Sequence, residues 1–132
     1  MNYYWRLFAT GFCFLIFGIG GGILRFFVFP IMSCFPGGVI QKQRRARLCI
    51  HFSFFLFLEL MRRTGVLTYD FDGLEKLNKS GQLIIANHPT LIDVILLVSR
   101  VPLANCIVKQ ELWNNPIMKG AVVNTGYISN GD

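Results

Sequence analysis

Leu7 to Leu24 is an unbroken run of 18 uncharged residues, and Phe26-Phe27-Val28-Phe29 extends it beyond Arg25. As one helix, residues 7–29 reach roughly 35 Å, enough to cross a bilayer with some tilt. Tyr3, Tyr4 and Trp5 precede the run as an interfacial aromatic anchor would, and Arg25 can extend its head group to the interface. A cleaved signal peptide is the competing reading. Against it, Arg6 alone supplies a basic leader, no Ala-x-Ala site follows, and Ile31-Met32-Ser33-Cys34 is a poor lipoprotein box. Gly18 to Gly22 hold the small-xxx-small spacing of helix dimers, though such glycines also simply let a helix bend or pack closely.

The second apolar stretch, Leu48 to Leu60, is 13 residues long and carries His51, Ser53 and Glu59. It is too short and too polar for a crossing and fits an interfacial helix over about 44–63. His51, Phe55 and Glu59 fall four apart on one stripe of that helix, as a polar edge or as a site. Pro30, Pro36, Gly37 and Gly38 are expected to break the chain between the two segments. Residues 1–65 therefore read as a two-helix membrane anchor. Eight Lys/Arg stand against Glu59 alone in that part, and five against six Asp/Glu from Val66 onward, so the net charge of +6 belongs to the anchor. Lys42, Arg44, Arg45, Arg47, Arg62 and Arg63 suit anionic lipid headgroups and a cytoplasmic face. No nucleic-acid-binding motif accompanies them, so nucleic acid is not an expected partner.

From Val66 the pattern changes. Residues 66–71, 83–86 and 103–108 read as strands; residues near 74–78, 90–99 and 116–122 read as helices. Such alternation argues for an α/β sheet, of which about 65 residues are too few to close a core. Cys13, Cys34, Cys49 and Cys106 show no pairing pattern and read as free thiols, with Cys106 in an apolar run as core.

The chemistry concentrates in Asn87-His88-Pro89-Thr90-Leu91-Ile92-Asp93, where an apolar strand pattern meets an apolar helix pattern. Asp93 is the single acidic residue between Glu75 and Glu111, and a carboxylate in so apolar a segment needs a partner. Pro89 suits the first helical position, which makes His88 the expected N-cap. From there its ring can fold back towards Asp93, and an imidazole backed by a carboxylate can take a proton from a hydroxyl. The plainer alternative is a turn histidine and a first-turn carboxylate that favours the helix dipole. No further His or Cys lies at metal-ligand spacing, so no metal is expected.

This block resembles the first signature, His-x-x-x-x-Asp, of the glycerolipid acyltransferase superfamily, which includes the 1-acylglycerol-3-phosphate and other lysophospholipid acyltransferases. Gly73-Leu74-Glu75-Lys76-Leu77 is similar to the lead-in found there, and Lys109-Gln110-Glu111-Leu112-Trp113 with Pro116 to the lysine-bearing segment after the first helix. Gly126-Tyr127-Ile128 falls where a second block begins. The resemblance implies an α/β fold in which the two-helix anchor is followed, over 66–132, by the first half of an αβ acyltransferase domain. It implies a membrane enzyme moving a fatty acyl group from an acyl thioester, on coenzyme A or a carrier protein, to a lysophospholipid or other lipid hydroxyl. His88 would be the general base and Asp93 its orienting partner, with Asn87, Thr90, Lys109 and Gly126 at the substrate. No bound cofactor is implied. The expected location is a bacterial inner membrane, with the catalytic part facing the cytoplasm.

Two departures qualify these expectations. Gly126-Tyr127-Ile128-Ser129-Asn130-Gly131-Asp132 lacks the arginine that closes the family's second block, so the acceptor is left open between a glycerol phosphate and another lipid hydroxyl. The later Pro-Glu-Gly-Thr/Ser-Arg block is not reached by Asp132, so these 132 residues alone are expected to be inactive. The rival from another class is a non-catalytic, truncated membrane protein that binds lipid or a partner.

Overall fold

The computed structural model describes residues 2–77, 79–87 and 90–131 of the chain. The apolar run forms α1, Tyr3–Ile23, a five-residue π turn over Leu24–Val28, and α2, Phe29–Cys34. Together these make one helical stretch of 32 residues. Pro30 was expected to end it and does not. A proline withholds the N–H that the Phe26 carbonyl would receive, and its ring crowds that carbonyl. The chain answers by widening into a π turn just upstream, a common way to absorb a helix fault. The break falls later, at Phe35, where the backbone turns extended.

Helix α3, Val39–Arg63, starts directly after Gly38 and is 25 residues long. Just past its end Gly65 takes a φ of 73°, which turns the Val66 N–H back to the Met61 carbonyl at 3.0 Å. α1 and α3 lie antiparallel. Trp5 Nε1 donates to the Thr64 carbonyl at one end (3.2 Å), Phe17 meets Phe57 with ring centroids 4.7 Å apart midway, and Phe29 packs with Ala46 and Ile50 at the other end.

Helix α4, Leu91–Val98, lies on α3. Its Ile95 is buried with Cys13, Phe57, Leu58 and Met61, and its Val98 with Phe29, Ala46 and Ile50. Each such side chain contributes about 1.5–3 kcal/mol of apolar burial. Two short parallel strands follow, β1 (Ile107–Val108) and β2 (Ile128–Ser129), paired Ile107 to Ile128 and Val108 to Ser129. Between them run α5, Gln110–Asn114, and α6, Lys119–Thr125. α6 returns to α3, where Arg47 Nε donates to the Thr125 carbonyl at 2.9 Å.

This architecture corrects the α/β expectation. About 63 % of the chain is helical, and the described strands amount to two residues each, so it is not an α/β acyltransferase domain. Residues 66–71 and 83–86 run without strand pairing, and Leu83 and Ile85 are more than four-fifths exposed. Strand-type composition marks residues that suit a sheet; a strand exists only where a neighbour takes its backbone N–H and C=O groups. For Ile107 that neighbour comes from 21 residues further on, and for Leu83 to Ala86 none is described. Leu74–Lys76 forms a single 3-10 turn, and Asn78, expected to close a helix there, lies outside the described residues.

Candidate functional site

Helix α4 begins at Thr90, two residues later than expected, because Thr90 is a better N-cap than a histidine. Asp93 is then the third helical residue. Its Oδ2 accepts from the Thr90 amide at 3.0 Å and from the Thr90 hydroxyl at 2.7 Å. That is a capping box, with aspartate where glutamate is commoner. It ties the carboxylate to the first turn and turns it towards the orphan N–H groups of the helix. His88 and Pro89 lie outside the described residues, so the His88–Asp93 contact expected from the sequence does too.

The remaining site residues are spread out. Asn87 and Thr90 are exposed, and Thr90 is bonded to Asp93. Lys109 is an exposed residue at the start of α5. Gly126 caps α6 with φ 68°, and its Cα faces the Gln43 amide so closely that a Cβ would collide with it. Its backbone role explains the glycine without any substrate. Among the described residues no cluster of His, Cys, Asp and Glu could hold a metal ion.

Sequence reasoning missed an apolar cavity of about 480 Å³ between α1, α3 and the start of α6. Phe17, Leu24, Phe54, Phe57 and Ala121 line it, with Gly18 and Gly21 on the α1 side. A Cβ built at either glycine would meet nothing within 4 Å, so the missing side chains are part of the open volume. Arg25 also lines the cavity. The glycine run was the available signal; its helical partner was not legible from spacing.

Cys106 and Tyr127 face each other beside the sheet, close to Arg47. Burial pushes the thiol of Cys106 up, against smaller opposing effects of Tyr127 and Arg47. Burial raises the Tyr127 phenol as well, with the Cys106 thiol adding to it, and the hydroxyl makes no aligned hydrogen bond.

These features define a helical chain with one N-terminal helix long and apolar enough to cross a membrane, of which only 11 % of the apolar window is buried. No protein-family model, curated protein or solved structure matches the chain.

Proposed function

We propose that the chain serves acyl transfer at a membrane: a fatty acyl group passes from an acyl thioester to a lysophospholipid or other lipid hydroxyl, with His88 as general base. The thioester is already activated, so the acceptor oxygen attacks the carbonyl directly as His88 removes its proton, and the thiolate leaves. Asp93 steadies the imidazolium that forms. Membrane lipids and the acyl donor, coenzyme A or a carrier protein, are the partners, and the reaction faces the cytoplasm of a bacterial inner membrane.

The observation that carries this reading is the docking of α4. The helix whose first turn holds Asp93 buries Ile95 in the same cluster as Cys13 of the apolar N-terminal helix. Chemistry at that turn is thereby coupled to a membrane surface, where lipid hydroxyls are. The 480 Å³ apolar cavity is of the size of small-molecule sites and suits a hydrocarbon chain. A non-catalytic lipid-binding protein is favoured by one observation, the capping bonds that give Asp93 a structural role.

The test is thiol release from acyl-CoA and from acyl carrier protein, with lysophospholipid acceptors, in membranes carrying the protein. His88→Ala is expected to abolish transfer and leave membrane binding intact. Undiminished turnover in that variant removes the general-base role.

A further inference from the structure

Arg100, just past the C-terminal end of α4, sits over three aromatic rings: Phe71 at 4.6 Å from guanidinium carbon to ring centroid, Phe55 at 5.4 Å and Tyr69 at 5.8 Å. These rings account for where the side chain lies. They offer its N–H groups no hydrogen-bond acceptor. No carboxylate of the described residues lies within 4.0 Å of the guanidinium nitrogens, and Nε is buried without an acceptor. Asp70, between two of the rings in sequence, accepts the Phe71 amide N–H on its Oδ1 at 2.9 Å. A half-buried guanidinium with an empty hydrogen-bonding edge is an oxyanion site in waiting.

A second group narrows the ligand. Arg100 and His51 line one open cavity of about 310 Å³, with Leu74, Ser99 and Pro102 around it. His51 Nδ1 lies 2.9 Å from the Val98 carbonyl. A carbonyl can only accept, so Nδ1 carries the proton, and in the neutral ring Nε2 is an acceptor. Ser99 spends its hydroxyl proton on the Leu96 carbonyl at 2.7 Å. The fitting ligand is therefore an anion that also has an O–H to donate. Carboxylates, sulfate and phosphodiesters lack that proton at neutral pH; a phosphate monoester, with a second pKa near 6, retains it part of the time.

We infer that Arg100 and His51 form a binding site for a phosphate monoester, the phosphate bridging the guanidinium edge and His51 Nε2. Free phosphate monoesters and the headgroup of a phosphatidic-acid-type lipid share this chemistry. The site lies at the end of α4 opposite Asp93, and its binding is read without turnover. It stands independently of the acyl-transfer reading, and loss of activity in His88→Ala leaves it untouched.

The experiment is equilibrium dialysis of radiolabelled inorganic phosphate against the full chain in a maltoside detergent, which contains no phosphorus. Saturable binding is expected at one site per chain, with a Kd on the order of 1 mM. Arg100→Gln should weaken it at least about tenfold, and Arg100→Lys several-fold, because lysine keeps the charge and loses the fork. Lys42→Gln, on an exposed part of α3, should leave it unchanged. Sulfate should displace the label several-fold less well than phosphate. Should Arg100→Gln fail to fold, Arg100→Lys and the sulfate comparison still decide. Non-saturable binding, sulfate competing as well as phosphate, or an Arg100→Lys protein binding like the wild type overturns the proposal. Mixed micelles distinguish the sources: displacement by phosphatidic acid and not by phosphatidylglycerol assigns a lipid headgroup, and displacement by neither assigns a free monoester.

Discussion

Asp93 Oδ2 is shared between two groups of one residue, the amide and the hydroxyl of Thr90, so the carboxylate and the helix start are fixed by each other. A structural and a chemical role are thus combined in one side chain, and substitutions can separate them. Thr90→Ala removes the hydroxyl and should cost about 1 kcal/mol, read as a lowered urea midpoint. Asp93→Asn should cost a similar amount of stability. Acyl transfer should fall much further in Asp93→Asn, by about 10²-fold or more, than in Thr90→Ala. Equal losses of turnover would leave Asp93 with capping alone.

The basic cluster is not uniform. Lys42 and Arg44 are exposed, whereas Arg47 spends its Nε on the Thr125 carbonyl and Arg45 lies over the Phe35 ring. Lys42→Gln with Arg44→Gln should therefore weaken binding to anionic vesicles by about 1 kcal/mol per charge, with little effect on the melting temperature. Arg47→Gln should do the reverse, lowering thermal stability because it unties α6 from α3. Vesicle sedimentation and a melting curve on the same samples check both.

Gly126→Ala should destabilise the chain by at least about 1–2 kcal/mol, because a left-handed φ of 68° is strained for any residue with a Cβ. The new methyl would also strike Gln43. Adding Gln43→Ala should recover the collision part and leave the backbone part, a partial rescue readable by chemical denaturation.

Tyr127→Phe should be neutral or stabilising by up to about 1 kcal/mol, since it deletes a buried hydroxyl without an aligned partner. Burial raises the pKa of both Cys106 and Tyr127, so the folded state favours their neutral forms. Their contribution is complete below the ordinary thiol value of 9.0. It is lost as pH climbs past 9.0 and then 10.0, where the unfolded chain ionises first and binds fewer protons than the folded one. Cys106→Ala with Tyr127→Phe should flatten that alkaline decline in a pH series of melting curves.

Several elements were legible in the letters because their cause is local. The apolar N-terminal run and the apolar face of α4 depend on neighbours within a turn or two, whereas the cap expected at His88 is taken by Thr90. The strands were misread for the opposite reason. Leu83-Ile84-Ile85-Ala86 has strand composition yet no described pairing partner, while Ile107-Val108 has one in Ile128-Ser129. Gly126 caps α6 and presses against Gln43, a contact across 83 positions that no spacing rule reports.

By itself the sequence determined the membrane-length helix, the placement of positive charge beside it and the identity of the residues around Thr90 and Asp93. Hydrophobicity and charge act over a few residues, so order along the chain is enough to express them. Tertiary structure alone decided that α4 shares a core with α1 and α3, that glycines on α1 open a cavity, and that Arg100 lies among three rings with no carboxylate of the described residues beside it. Each of these joins side chains dozens of residues apart, and such contacts are set by how helices pack rather than by the order in which they are written.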